Sequence, residues 1–193
     1  MSTLRTQKVT PLDGETNLIL GDSGDTIALA AGATATGFGG GKILQVVNVQ
    51  DGAVATTTSQ TPLHDDTKPL ISEGTEFLTL AVTGASTNNY FYVECKIWLG
   101  HTVTNRNIIT ALWNTDVHAT EAIATCGIQN HTATATSMYP WSWYGAVPTT
   151  NATTFRVRAG SQGSGTTTYT GQDGGRKHGG AMLSSITIWE ISA

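Results

Sequence analysis

The sequence predicts an all-β chain: a jelly-roll β-sandwich preceded by an extended N-terminal arm. Three observations carry this. Only 12% of the 193 residues are charged and 22 are glycine. The surface-helix formers Lys, Glu and Arg are therefore scarce, and residues that favour strands and turns are common. Apolar residues recur in short runs of period two, bounded by Gly, Pro, Asn and Asp. No stretch of useful length carries a helical period, and nothing repeats at a fixed 20–50-residue spacing, which sets aside solenoids and propellers. A body of about 150 residues buries roughly two-thirds of its unfolded surface, so its core needs neither metal nor disulfide.

Residues 1–41 form the predicted arm. Leu4 and Val9 are scattered among polar residues. Two strand-like runs, 16–20 and 26–29, flank the turn Gly21-Asp22-Ser23-Gly24-Asp25, and a run of Ala, Gly and Thr leads to Gly41. Such a segment has too little to bury to order itself alone. It is expected to dock on a partner or a neighbouring copy.

Residues 42–193 form the predicted head. Its first strand is 42–50, with 54–58 continuing it after Asp51-Gly52. Pro62, Asp65, Asp66 and Pro69 make 61–68 a loop or an edge. A strand follows at 75–82. The clearest strand is 90–99: Phe91, Val93, Cys95, Ile97 and Leu99 share one face, and Tyr90, Tyr92, Glu94, Lys96 and Trp98 the other. Further short strands are expected at 108–113, 121–128, 138–144, 154–159 and 166–170. In 154–159 Phe155 and Val157 point in and Arg156 and Arg158 out. A Gly-rich loop, 171–180, precedes the last strand, 184–191. There Ile186 and Ile188 face one way and Trp189 and Ile191 the other. A strand that is apolar on both faces needs cover on both, from the core and from either a second sheet or a second chain.

Several functions are disfavoured. The net charge is −4, with no Lys/Arg-rich stretch, so no nucleic-acid partner is expected. No apolar run approaches ~18 residues, so no membrane insertion is expected. Gly163-Ser164-Gly165 lacks the nucleophile elbow, and the glycines of 171–180 lead to a strand rather than a phosphate-binding helix. His64, His101, His118, His131 and His178 are dispersed, and His64-Asp65-Asp66 lacks the calcium-loop pattern. The chain is expected to be no enzyme, with no catalytic residues, metal or cofactor. Cys95 reads as a small buried hydrophobe; whether it bridges Cys126 stays open.

Aromatic residues supply the candidate sites. Tyr92, Trp98 and Trp189 fall on strand faces away from the core and are candidates for a subunit interface. Tyr139-Pro140-Trp141-Ser142-Trp143-Tyr144 holds four aromatics in six residues. Trp141, Trp143 and Tyr144 are a candidate patch for a ligand or partner. The competing reading packs Trp141 and Trp143 inward with Tyr139, since the three share parity.

The runs Lys42-Ile43-Leu44-Gln45-Val46-Val47, Thr153-Thr154-Phe155-Arg156-Val157-Arg158 and Ser185-Ile186-Thr187-Ile188-Trp189-Glu190-Ile191 resemble bacteriophage virion accessory proteins, the capsid-decoration and short tail-fibre heads. The arm's Leu18-Ile19-Leu20-Gly21-Asp22-Ser23-Gly24-Asp25-Thr26-Ile27 is similar to the segments attached to such heads. The resemblance implies a jelly roll like that of tumour necrosis factor, assembled as a homotrimer. It implies a place on the virion, after synthesis in the host cytoplasm, with the major capsid protein or a tail adaptor as partner. The chain lacks the long repetitive shaft of a full tail fibre, which favours a decoration (cement) protein anchored by its arm. The alternative is a receptor-binding head that reads a host surface glycan through Trp141, Trp143 and Tyr144 or the 171–180 loop.

Overall fold

The computed structural model describes residues 41–61 and 66–193. The chain divides at Gly39/Gly40, and every described residue belongs to the second unit, Gly40–Ala193. The strands expected at 16–20 and 26–29, the rest of the arm to residue 40, and His64 and Asp65 lie outside the described residues.

Among the described residues twelve strands follow in order: β1 Ile43–Asp51, β2 Ala55–Thr57, β3 Thr75–Thr83, β4 Tyr90–His101, β5 Arg106–Asn114, β6 Ala124–Asn130, β7 Thr136–Ala146, β8 Ala152–Ser161, β9 Thr167–Tyr169, β10 Gly171–Gln172, β11 Gly175–Arg176 and β12 Ser184–Ile191. The eight long ones pair as a nested set. β1 pairs β12, β3 pairs β8, β4 pairs β7 and β5 pairs β6, all antiparallel. A long hairpin rolled over itself gives this pairing, and it defines a jelly roll. One sheet runs β1-β12-β4, with β7 on the other side of β4; the second runs β3-β8-β5-β6. β9 pairs the end of β4 beyond β12, and β2 pairs β9.

The alternation read from the sequence sets what each sheet buries. Phe91, Val93, Cys95, Ile97 and Leu99 of β4 are fully buried, as are Ile186 and Ile188 of β12. They meet Leu78 and Val82 of β3, Ile108 and Leu112 of β5, and Phe155 and Val157 of β8 in one core. Phe91 and Phe155 meet edge-to-face at 5.9 Å. Each large side chain so buried contributes about 1.5–3 kcal/mol. Cys95 and Cys126 are both free, which closes the question of a bridge, and burial pushes the Cys95 thiol well above its ordinary pKa.

Two strands differ from the sequence reading for local reasons. The strand expected at 121–128 begins at Ala124, because Glu121 bridges Leu70 and Ala122 N–H donates to the Pro69 carbonyl. β7 runs from Thr136 through Pro140 to Ala146. It pairs only β4, so an edge strand carries the proline, whose missing N–H costs no ladder bond when it faces the open side.

The two sheets differ on their outer faces. Behind β5, Ala111, Trp113 and Ala122 are buried together with Ile71 packed against them. The loops that bring Ile71 and Ala122 there are tied by Ile71 N–H to Thr120 O at 2.7 Å. Beside them Arg158 donates to the carbonyls of Glu73 (3.0 Å) and Gly74 (2.9 Å), and Arg156 pairs Glu76 at 3.0 Å. The β3-β8-β5-β6 sheet is thus covered behind β5, while the outward residues of β3 and β6 stay exposed.

Candidate functional site

The outer face of the β1-β12-β4-β7 sheet has no such cover among the described residues over its first half. Register places its side chains in rows. Val46 lies opposite Trp189, Trp189 opposite Tyr92, and Tyr92 opposite Tyr144. One apolar row therefore crosses all four strands. The Tyr92 and Trp189 rings sit 5.4 Å apart. Tyr90, one row outward on β4, stacks on Tyr144 at 5.1 Å. Val46 is 52% and Tyr144 55% exposed. The row thus presents apolar surface to solvent at both of its ends.

The next two rows are polar. Asn48, Thr187, Glu94 and Ser142 form the first, with Asn48 Nδ2 donating to Thr187 Oγ1 at 2.7 Å. Lys96, Ser185 and Pro140 form part of the second, and Lys96 pairs Glu94 at 2.9 Å. Trp98, opposite Met138, stands in the row beyond. Six residues of strand separate it from Tyr92, about 20 Å at ~3.3 Å per residue. The three interface candidates share a face, but only Tyr92 and Trp189 touch.

Trp98 belongs to a second feature, a cleft of about 740 Å³. Thr136 of β7, Gln172 of β10, and Lys177, His178 and Met182 line it with Trp98. The 171–180 segment, expected as a plain loop, is built. β10 and β11 form a hairpin whose turn, Asp173-Gly174, holds φ of 50° and 70°. Positive φ at both positions is a primed turn, and Asp-Gly is its sequence signal. A short 3-10 turn, His178–Gly180, follows, again with positive φ at His178, Gly179 and Gly180. Thr136 Oγ1 donates to Gly171 O at 2.8 Å and fastens the hairpin to β7.

Trp141, Trp143 and Tyr144 do not share a face. Tyr139 is fully buried, and Trp141 and Trp143 are half-buried against the core. Trp143 packs near Phe155 at 5.9 Å. Its ring lies over Gly145, where an added Cβ would fall 2.2 Å from the ring. Tyr144 alone of the three points outward, into the aromatic row. The inward reading of Trp141 and Trp143 describes their geometry.

Two buried titratable groups, Glu190 and His101, are tied to neighbouring backbone and side chains. Glu190 is fully buried on the inner face of β12. Its carboxylate accepts from Asn89 Nδ2 (2.6 Å), Gln45 Nε2 (2.6 Å) and Ala85 N–H (2.9 Å). Burial pushes its pKa up, but the bonds from Asn89, Gln45 and the backbones of Ala85 and Ser86 outweigh it and hold it below the usual carboxylate value. His101 is buried beside Gly165, its Nδ1 accepting from Val103 N–H at 3.0 Å, and burial holds its pKa below the ordinary histidine value. Among the described residues no group of three His, Cys, Asp or Glu is placed to hold a metal, and no helix is long and apolar enough to cross a membrane.

No family model matches this sequence, and no curated protein matches it. Solved structures do. The Eiger TNF structure from S. frugiperda aligns with a TM-score of 0.41 at 11% identity, over 77% of this chain and 92% of that one. The infectious bursal disease virus Gt strain structure aligns with a TM-score of 0.40 at 13% identity, over 88% of this chain and 42% of that one. Bacteriophage CBA120 tailspike protein 4, in its enzymatically active domain, aligns with a TM-score of 0.26 at 15% identity, over 68% of this chain and 20% of that one. The chain spans less than half the length of the two viral chains. At these scores the likenesses assign no activity, ligand or partner.

Proposed function

We propose that this chain is a structural protein of a bacteriophage virion, a trimeric capsid-decoration protein with residues 1–41 as its attachment arm and the jelly roll as its head. One observation carries the self-assembly. The row Val46–Trp189–Tyr92–Tyr144 crosses all four strands of one sheet, while loops of the molecule cover the other sheet behind β5. A second copy supplies the missing cover. The face is weakly charged, and its charged pair, Glu94 and Lys96, is self-neutralised. Aromatic residues bring large contact area at low entropic cost, so the row anchors the interface. The reading assigns no catalysis: the head holds position rather than turning over a substrate. The resemblance of the sequence to virion accessory proteins supplies the virion setting.

The test is the solution mass of the full chain by light scattering. A mass three times 20.2 kDa is expected. Val46→Arg puts a charge into the row from an exposed edge-strand position and should return the monomer with unchanged far-UV dichroism. A wild-type monomer at tens of micromolar overturns the assembly. Gold-labelled antibody on intact particles then locates the protein; absence of label from every particle overturns the virion setting.

A second reading, a short tail-fibre head that recognises a host glycan, is favoured by the Trp98 cleft rather than by the Trp141–Trp143 pair.

A further inference from the structure

We infer that the cleft beside Trp98 binds an acidic saccharide, a sugar unit bearing a carboxylate such as a uronic acid. The inference rests on the recognition reading and is independent of the oligomeric state, because two polar rows separate the cleft from the aromatic row. Three observations point to the ligand class.

The first is charge. The chain is acidic overall, and four cations of the head are ion-paired: Lys68 with Glu121, Lys96 with Glu94, and Arg156 and Arg158 with Glu76. Lys177 makes no ion pair with any described residue, and no carboxylate lines the cleft it enters. An ammonium in a cleft without carboxylates is a ready partner for one anion.

The second is shape. Trp98 presents an indole on the outer face of a rigid central strand, and a sugar's apolar C–H face stacks on such a surface. At about 740 Å³ the cleft lies within the range of small-molecule sites and has room for a short oligosaccharide.

The third is the polar complement. Gln172 offers both an acceptor and two donors. Thr136 Oγ1 spends its proton on Gly171 O, so its lone pairs are left to accept from a sugar hydroxyl. Met182 closes the apolar side. The turn that carries Lys177 and His178 is set by the positive-φ residues His178, Gly179 and Gly180 and by the 3.0 Å bond from Gly180 N–H to Lys177 O. These groups are placed before a ligand arrives, which lowers the cost of binding.

The experiment titrates the full chain with oligogalacturonate and, separately, with neutral dextran oligomers of the same length. Tryptophan fluorescence reports binding, and the mass of each sample is measured alongside. Saturable binding of oligogalacturonate is expected, weakened by salt and reduced roughly tenfold or more in Lys177→Gln. Trp98→Phe should weaken it less than Trp98→Ala. Binding of dextran equal to that of oligogalacturonate, with Lys177→Gln without effect, overturns the acidic class while leaving glycan recognition standing. Binding of neither oligomer overturns the acidic-sugar site. Failure across a host-glycan array as well overturns the recognition reading.

Discussion

Glu190 shows how one residue ties the head together. A carboxylate shut away from water is costly unless donors surround it. Here β1 supplies Gln45, and the β3–β4 connection supplies Ala85 N–H and Asn89. Asn89 also accepts from Ala193 N–H at 3.4 Å, which fixes its amide orientation and draws in the C-terminus. The folded pKa lies below the unfolded one, near 4.3. The stabilisation is therefore complete above that unfolded value and is lost as pH falls through the folded one. Glu190→Gln should cost about 1–3 kcal/mol at neutral pH, since its amide N–H₂ faces donors. It should also flatten the fall in stability below about pH 4.3. Urea melts at pH 7 and pH 3 check both; equal losses at the two pH values would contradict the clamp.

At the scale of the element, β12 is the strand that both sides need. It lies between β1 and β4, so its ladder is complete on both edges. Ile188 sits opposite Val47 and Val93 with nothing exposed. Ile188→Ala should therefore cost about 2–5 kcal/mol, read as a lower urea midpoint with unchanged slope. The parity of Ile186 and Ile188 against Trp189 and Ile191 is legible in the sequence, and so is that of β4, because period two needs no knowledge of neighbours. The β10–β11 hairpin shows the opposite case. Its Asp173-Gly174 signal stands in the sequence, but the flanking strands have two residues each, too short to show a period.

At the scale of the molecule, the two outer faces differ. One is covered by the chain behind β5, and the other carries an apolar row whose ends are exposed among the described residues. The attachment role proposed for residues 1–41 belongs to this scale too. Deleting them should leave a head of trimeric mass that no longer binds particles depleted of this protein. Sedimentation of the truncated and full chains with such particles checks it; equal binding would assign attachment to the head.

The sequence by itself determined the class of fold and the face of each long strand. Alternation is a local property, and scarcity of charge removes helical surfaces. It also named Tyr92, Trp98 and Trp189 as outward, because parity alone shows that. Only the tertiary structure decided which outward residues meet. Tyr92 and Trp189 are ninety-seven positions apart yet share a row, while Trp98, six residues along the same strand, joins a cleft with Lys177. Register between distant strands sets such neighbours, and register follows from how two whole sheets close on one core. The same closure turns Trp141 and Trp143 inward and leaves Tyr144 outside, from three residues that stand almost side by side in the chain.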